Sequence, residues 1–266
     1  MRPLAAVLLA LAPAALAAPA ADRFPDAATA YLVAVNGRIL WARKPDAPLP
    51  PASLTKIMMG LVVLERGVPR EEWVRVSGKA AQATGTRLGL RAGDEIRAGD
   101  ALVASLVSSS NDACLALAEH VAGSGSAFAA LMNRRASELG LEGTHFANPC
   151  GHDAPGHQST ARSLWRLTQA ALGSPEFRRI VALERAEVRT RDGRTLSVVT
   201  GNALLGRARG ATGVKSGFTP AAGKCLVARA QRGDTDVVVV MLGAPDRWWT
   251  AARILEAAFD EAAAGG

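Results

Sequence analysis

The chain is poor in lysine. Of its 31 basic residues only five are lysines, at positions 44, 56, 79, 215 and 224, and the other 26 are arginine. Arginine is the default cation, so a lysine stands out as a compact ammonium whose pKa can shift where a guanidinium's cannot. Basic tracts are missing too. The net charge of +7 is scattered, with no run or helical stripe, which argues against a nucleic-acid partner. His145, His152 and His157 flank a Gly/Pro-rich loop without a compact ligand spacing, so no metal site is expected. There is no G-x-S-x-G elbow, which argues against an α/β-hydrolase triad. Three cysteines allow at most one internal bridge. Cys114 falls in a helical run one turn past Asn111 and is expected as a small buried residue rather than a bridge partner. Whether Cys150 and Cys225 pair stays open.

Long apolar runs are missing after the first 21 residues. Within those, Arg2 supplies a thin positive start, Leu4 to Leu16 an apolar stretch, and Ala17, Ala18 and Ala20 a small-residue cleavage zone. Pro13 and the short length disfavour a stable span. Residues 1–21 therefore read as a secretory signal. The mature chain is expected to be exported, periplasmic or extracytoplasmic, with no stable membrane anchor. Residues 22–266 are expected to form a single domain without a C-terminal β domain. A hydrophobic content of 49% suffices for a large core in one or two lobes.

What the sequence does have is three short fragments in a fixed order. The first is Ser53-Leu54-Thr55-Lys56, an S-x-x-K. Pro50 and Pro51 pre-set an extended approach, and Ser53 then opens an apolar, helix-period run that continues to Leu64. A serine and a lysine three apart on one helix face are within hydrogen-bond reach, as a nucleophile and its base must be. Burial among Ile57, Met58 and Met59 would lower the Lys56 pKa, and a second cation, Lys215, would lower it further. The second fragment, Ser109-Ser110-Asn111, interrupts two apolar helical runs, 100–107 and 112–119, as a tight polar loop with Asn111 or Asp112 as cap. The third, Lys215-Ser216-Gly217, lies on an expected strand, 212–219, that begins an antiparallel meander. Gly217 would let a substrate backbone approach an exposed strand edge.

Together these fragments read S-x-x-K, S-x-N and K-[ST]-G, and the chain resembles the low-molecular-mass penicillin-binding proteins, the serine-type D-alanyl-D-alanine carboxypeptidases of peptidase family S11. The likeness extends over 49–56, 109–118, 146–151, 201–206 and 213–223, and so covers roughly residues 25 to 260. Departures are Ser110 for glycine, Ser216 for threonine, Lys224 for an aromatic and Phe218 for a histidine or tyrosine. The resemblance implies an α+β fold of the β-lactamase/transpeptidase type. An antiparallel five-stranded sheet covered by helices would carry an inserted all-helical lobe. The residues agree: a hairpin over 31–43, mostly helix from Ser53 to about Ile180, three antiparallel strands, and a last helix near 248–261.

The activity implied is acyl transfer. Ser53 attacks the carbonyl between two terminal D-alanines, Lys56 takes its proton, and the backbone N–H groups of Ser53 and Phe218 hold the oxyanion. Ser109, helped by Lys215, passes a proton to the leaving amine, and Asn111 orients the substrate amide. Lys215, Ser216 and Arg247 hold the terminal carboxylate. The implied partners are peptidoglycan stem peptides and β-lactam inhibitors, with no cofactor. A D,D-endopeptidase would use the same residues. A class A β-lactamase would need a glutamate-activated water, and no E-x-x-L-N lies between Ser109 and Lys215. A non-enzymatic wall-binding module would not need the complete set of motif residues.

Overall fold

The structure is a computed structural model and describes residues 22–264. The segment read as a secretory signal lies outside the described residues. Strands β1 (Ala30–Val35) and β2 (Arg38–Arg43) form the expected hairpin. Its tight turn places Asn36 and Gly37 at positive φ, which suits an Asn-Gly pair. A 3₁₀ turn, Ala52–Thr55, then leads into α1 (Lys56–Glu65). The lobe that follows comprises β3 (Trp73–Arg75), α2 (Gly78–Ala81), β4 (Glu95–Arg97), α3 (Ala98–Val107), α4 (Asn111–Ala122), α5 (Gly125–Glu138), α6 (Ala161–Leu172) and α7 (Pro175–Val181). After it come the hairpin β5 (Arg185–Arg189) and β6 (Thr195–Val199), the meander β7 (Ala211–Thr219), β8 (Gly223–Arg232) and β9 (Thr235–Ala244), and finally α8 (Arg247–Ala264).

The main sheet is antiparallel and five-stranded in the order β2-β1-β9-β8-β7, so both ends of the chain build it. Period-two alternation divides its residues between two cores. Leu32, Val238, Val240 and Leu242 face the helical lobe, whereas Val33, Val237, Val239 and Met241 face α8. A strand buried on both faces reads as a continuous apolar run, which is why 237–242 is Val-Val-Val-Val-Met-Leu. The α+β fold of five antiparallel strands, helices on both faces and an inserted lobe is borne out.

The lobe is not all-helical, and this corrects the sequence reading. A β3–β4 ribbon sits inside it, and the β5–β6 hairpin follows it. Each strand of the ribbon has three residues and one buried apolar side chain, Val74 or Ile96. Alternation cannot show over so short a length. The Asp192-Gly193 turn of the second hairpin was a readable signal, with Val188 and Val198 buried on its inner face.

No single described helix is long and apolar enough to cross a membrane. Leu32 is fully buried, whereas Ile39 on the outer strand is 40% exposed. Leu32→Ala is expected to lower unfolding stability by about 2–5 kcal/mol. Ile39→Ala should change it by no more than about 0.5 kcal/mol. Urea titration of the two variants checks the contrast.

Candidate active site

Ser53 does not start an α-helix. It lies within the 3₁₀ turn, and α1 begins only at Lys56. Two features tighten the chain here: Ala52 adopts φ +50°, and the Thr55 hydroxyl donates back to the Ala52 carbonyl at 2.7 Å. In a 3₁₀ turn residues i and i+3 eclipse, which stacks Ser53 and Lys56. Lys56 Nζ lies 3.3 Å from Ser53 Oγ.

The Lys56 amine is fully buried and held from two other sides. It donates to Asn111 Oδ1 at 2.7 Å and to the Cys150 carbonyl at 2.6 Å. Asn111 cannot flip, because its Nδ2 donates to the Thr84 carbonyl at 2.6 Å. Both partners of the amine can only accept. A neutral amine therefore spends its two hydrogens on them and turns its lone pair toward Ser53. Burial pushes the Lys56 pKa well below the usual lysine range, and the Lys215 charge pushes it further. The geometry suits a proton acceptor.

Lys215 on β7 is also buried, with Nζ donating to the Ser216 carbonyl at 2.9 Å. Burial, and then the nearby Arg247, brings its pKa down to about 7. β7 is the edge of the sheet and runs across the Ser53 turn. Ser216 Oγ donates to the Gly201 carbonyl at 3.2 Å. Arg247, at the start of α8, donates through Nη1 to the Gly217 and Cys225 carbonyls and stacks over Trp248, 4.6 Å from the ring centroid. Its Nε is buried without a protein partner among the described residues.

Ser109 sits between α3 and α4 at φ +65°, an uncommon backbone for a residue with a side chain. The Ser108 and Ser110 hydroxyls, 2.8 Å apart, brace it. The cap of α4 is Ser110 rather than Asn111 or Asp112. Asn111 is drawn instead to Lys56.

Seven of the nine expected site residues line one cleft of about 510 Å³: Ser53, Ser109, Asn111, Ser216, Gly217, Phe218 and Arg247. Lys56 and Lys215 lie buried behind it. Phe218 is 61% exposed at the mouth.

The sequence reading missed the supports. Asp112 accepts from the N–H groups of Leu88, Gly89, Leu90 and Ala113, and so pins the loop whose Thr84, Gly85 and Thr86 form one wall. Asn148 Oδ1 gathers the N–H groups of Cys150, Gly151 and His152. Asp153 reaches across to Thr219 Oγ1 at 2.6 Å and to the Ala221 N–H at 3.2 Å, tying the lobe to the β7–β8 turn. Three neighbours of the motifs thus hold the walls. Asp112 and Asn148 fall within the stretches of family likeness without their part in the site being read from them, and no motif signal marks Asp153.

The cysteines require a correction. Cys114 is bonded to Cys150, and Cys225 is a buried free thiol whose pKa burial raises to about 11. Cys114 lies on the face of α4's first turn that meets the 148–152 loop, with the two Cα atoms 6.0 Å apart. The turn that supplies Asn111 and the loop that supplies the Cys150 carbonyl are therefore covalently joined beside Lys56.

Two glycines permit the close packing. A Cβ on Gly151, at φ +88°, would fall 2.1 Å from the Ala52 oxygen, and one on Gly217 would fall 2.8 Å from the Ser53 nitrogen. In both cases the nearest obstructing atom is backbone, which cannot step aside as a side-chain end can. Gly217→Ala is expected to push β7 off the turn and slow acylation of Ser53 by labelled penicillin at least ~10-fold, with a smaller loss for the whole fold. Gly151→Ala should cost more on both counts. Stopped-flow labelling together with thermal melts checks this.

Comparison with known proteins agrees with this geometry. The family described as D-alanyl-D-alanine carboxypeptidase, peptidase S11, matches residues 18–246. The D-alanyl-D-alanine carboxypeptidase DacF of Bacillus subtilis is 32% identical over 90% of this chain, which spans 64% of DacF's own length. A D-alanyl-D-alanine endopeptidase of Pseudomonas aeruginosa is 32% identical over 79% of this chain and 68% of its own. The crystal structure of the Streptomyces K15 DD-transpeptidase superposes with a TM-score of 0.82, at 27% identity, over 88% of this chain and 97% of that one. With a match over most of its length and the three motifs assembled in one cleft, the chain belongs to peptidase family S11, the D-alanyl-D-alanine carboxypeptidase family.

Proposed function

We propose that the protein is a serine D-alanyl-D-alanine carboxypeptidase that trims the terminal D-alanine from peptidoglycan stem pentapeptides and is acylated by β-lactams. The observation that carries this reading is the buried Lys56 amine, held by two acceptors with its third direction on Ser53 Oγ. Ser53 Oγ attacks the carbonyl of the penultimate D-alanine as Lys56 takes its proton. The oxyanion is met by the N–H groups of Ser53 and Phe218. Ser109, helped by Lys215, delivers a proton to the leaving D-alanine amine, and water then hydrolyses the ester. Lys215, Ser216 and Arg247 receive the free carboxylate, where each charge-assisted bond contributes about 1.5–3 kcal/mol. Neither a metal nor a cofactor has a part in these steps. The reading of residues 1–21 as a signal fits an exported enzyme that meets its substrate outside the cytoplasm.

The runner-up is a D,D-endopeptidase cutting cross-links, a reading favoured by relatives of that name in Pseudomonas aeruginosa and Escherichia coli. A fast β-lactamase is disfavoured because the cleft-lining residues include no glutamate. Their one acidic residue, Asp153, has both oxygens engaged by Thr219 and Ala221.

The deciding experiment incubates the protein with a stem pentapeptide and with cross-linked dimers and identifies products by mass spectrometry. Release of D-alanine at the higher kcat/KM supports the carboxypeptidase. Faster cleavage of dimers replaces it with the endopeptidase. Ser53→Ala should abolish both activities and all penicillin labelling.

The linkage between the lysines gives a second test. Lys215 in its cationic form lowers the Lys56 pKa. In Lys215→Gln that push is gone, so Lys56 holds its proton to higher pH. The acid limb of the acylation profile is therefore expected to move to higher pH, with the maximal rate also reduced. A limb that stays in place or moves to lower pH would show that the two lysines are not coupled in this way.

A further inference from the structure

One buried titratable group has no part in the steps above. His157 is 4% exposed and lies outside the cleft lining, yet its ring is hydrogen-bonded at both nitrogens. The Ala147 N–H points at Nδ1 from 2.9 Å. A backbone amide can only donate, so Nδ1 is unprotonated and the ring hydrogen sits on Nε2. That nitrogen lies 2.8 Å from Thr55 Oγ1, which therefore accepts from it. The threonine's own hydrogen is then directed to the Ala52 carbonyl, 2.7 Å away. Every direction in this chain of three bonds is forced by the backbone amide at its far end. Burial agrees with a neutral ring, pushing the His157 pKa down to about 4. Of the charged and titratable neighbours, His145 and His152 add to this and Asp153 opposes it.

The chain ends on a peptide unit that matters. The Ala52 carbonyl and the Ser53 N–H belong to one planar trans group, so fixing one fixes the opposite direction of the other. The Ser53 N–H has no acceptor among the described residues. The carbonyl side is closed, since Gly151 packs so near that a Cβ there would overlap the Ala52 oxygen.

We propose that His157 and Thr55 are positioning residues for the oxyanion site: the relay Ala147 N–H to His157, His157 to Thr55, Thr55 to the Ala52 carbonyl sets the plane of the Ala52–Ser53 peptide and aims the Ser53 N–H at the cleft. This rests on the reading of Ser53 as nucleophile and of its N–H as an oxyanion donor. Neither side chain touches the substrate. Without the relay the peptide is free to rock, and a donor that has lost its aim stabilises the developing charge less.

Four variants test it: Thr55→Val removes the hydroxyl, Thr55→Ser keeps it, His157→Phe removes both ring hydrogen bonds, and His157→Gln supplies an amide acceptor and donor in their place. The measurements are the rate constant and the stoichiometry of Ser53 acylation by labelled penicillin, KM for a D-Ala-D-Ala substrate, and affinity for a boronic acid that forms a tetrahedral adduct on Ser53. Thr55→Val and His157→Phe are expected to acylate ~10- to 100-fold more slowly at full stoichiometry. Their boronate affinity should fall in parallel and their KM change less than about threefold. Thr55→Ser should recover most of the rate, and His157→Gln, whose flexible amide holds Thr55 less firmly than a ring does, only part of it.

A merely structural role would lower the labelled fraction and the melting temperature while the remaining active protein kept the wild-type rate. That result overturns the proposal. So does a rate loss in Thr55→Val without loss of boronate affinity. If either strongly altered variant fails to fold, the Thr55→Ser and His157→Gln pair decides: wild-type melting with slower acylation in His157→Gln and not in Thr55→Ser places the effect in the relay, and unchanged rates in both with a weakened fold overturn it. Failure of the wild-type protein to label at Ser53 would instead remove the underlying reading of the site.

Discussion

The rest of the site depends on how a lysine amine is kept in a dry place without a counter-ion. A buried ammonium is costly unless a carboxylate faces it. Around Lys56 the two closest acceptors besides Ser53 are an amide oxygen and a backbone carbonyl, both uncharged. They satisfy hydrogens without paying back the desolvation of a charge, so the neutral amine is favoured. A carboxylate in either place would hold the proton on Lys56. The order Asn111-Asp112 acquires its meaning here. The neutral side chain faces the lysine, and the acidic one next to it is turned away and consumed by four backbone N–H groups. The second lysine extends the same logic. Lys215 adds a positive charge where a negative one would stabilise ammonium, and its own burial keeps it near its titration point.

Such a site requires surroundings that do not relax to let water or a counter-charge in. The sheet supplies one wall from a strand edge backed by two cores, so β7 has little freedom to retreat. The helical lobe supplies the other wall, and cross-links tie its parts together. The Cys114–Cys150 bridge closes a sequence separation of 36 residues, for which chain entropy alone gives a stabilisation of about 3–4 kcal/mol. Its position matters more than this sum, because it joins the sources of the two acceptors of Lys56. Asp153 then fastens the lobe to the β7–β8 turn across the cleft mouth.

What the sequence disclosed and what it hid divide along a physical line. The motif residues were legible because their chemistry restricts residue type: a nucleophile, a shiftable amine, a glycine under a crossing backbone. The main sheet was legible through Tyr31–Val35, Ile39–Arg43 and the apolar run of β9. Short elements with one inward side chain, such as Trp73-Val74-Arg75, carry no measurable period. The bridge was hidden because it joins a helix and a loop that are distant in sequence. Cys114 is by local pattern a buried helix residue, which it also is. Ser53 as a helix start was wrong for a related reason. The 3₁₀ turn packs its Ala52 carbonyl against Gly151, a contact from outside the local run that no propensity within 50–64 encodes.

The backbone itself shows where folding free energy is diverted to the site. Among the described residues four without a glycine's freedom have positive φ: Asn36, Lys44, Ala52 and Ser109. Asn36 is an ordinary hairpin turn residue. Ala52 and Ser109 flank the reacting position from opposite walls, the one carrying the peptide of the Ser53 N–H and the other a hydroxyl of the cleft. Each such conformation costs on the order of 1–3 kcal/mol for a residue with a side chain and persists only when neighbours over-determine it. Here they do. Thr55, His157 and Gly151 grip Ala52, and the Ser108–Ser110 pair with the caps of α3 and α4 grips Ser109. Strain at Ala52 and Ser109 fixes the direction of the groups around Ser53 in advance, so a reaction proposed to start there leaves less reorganisation to be done.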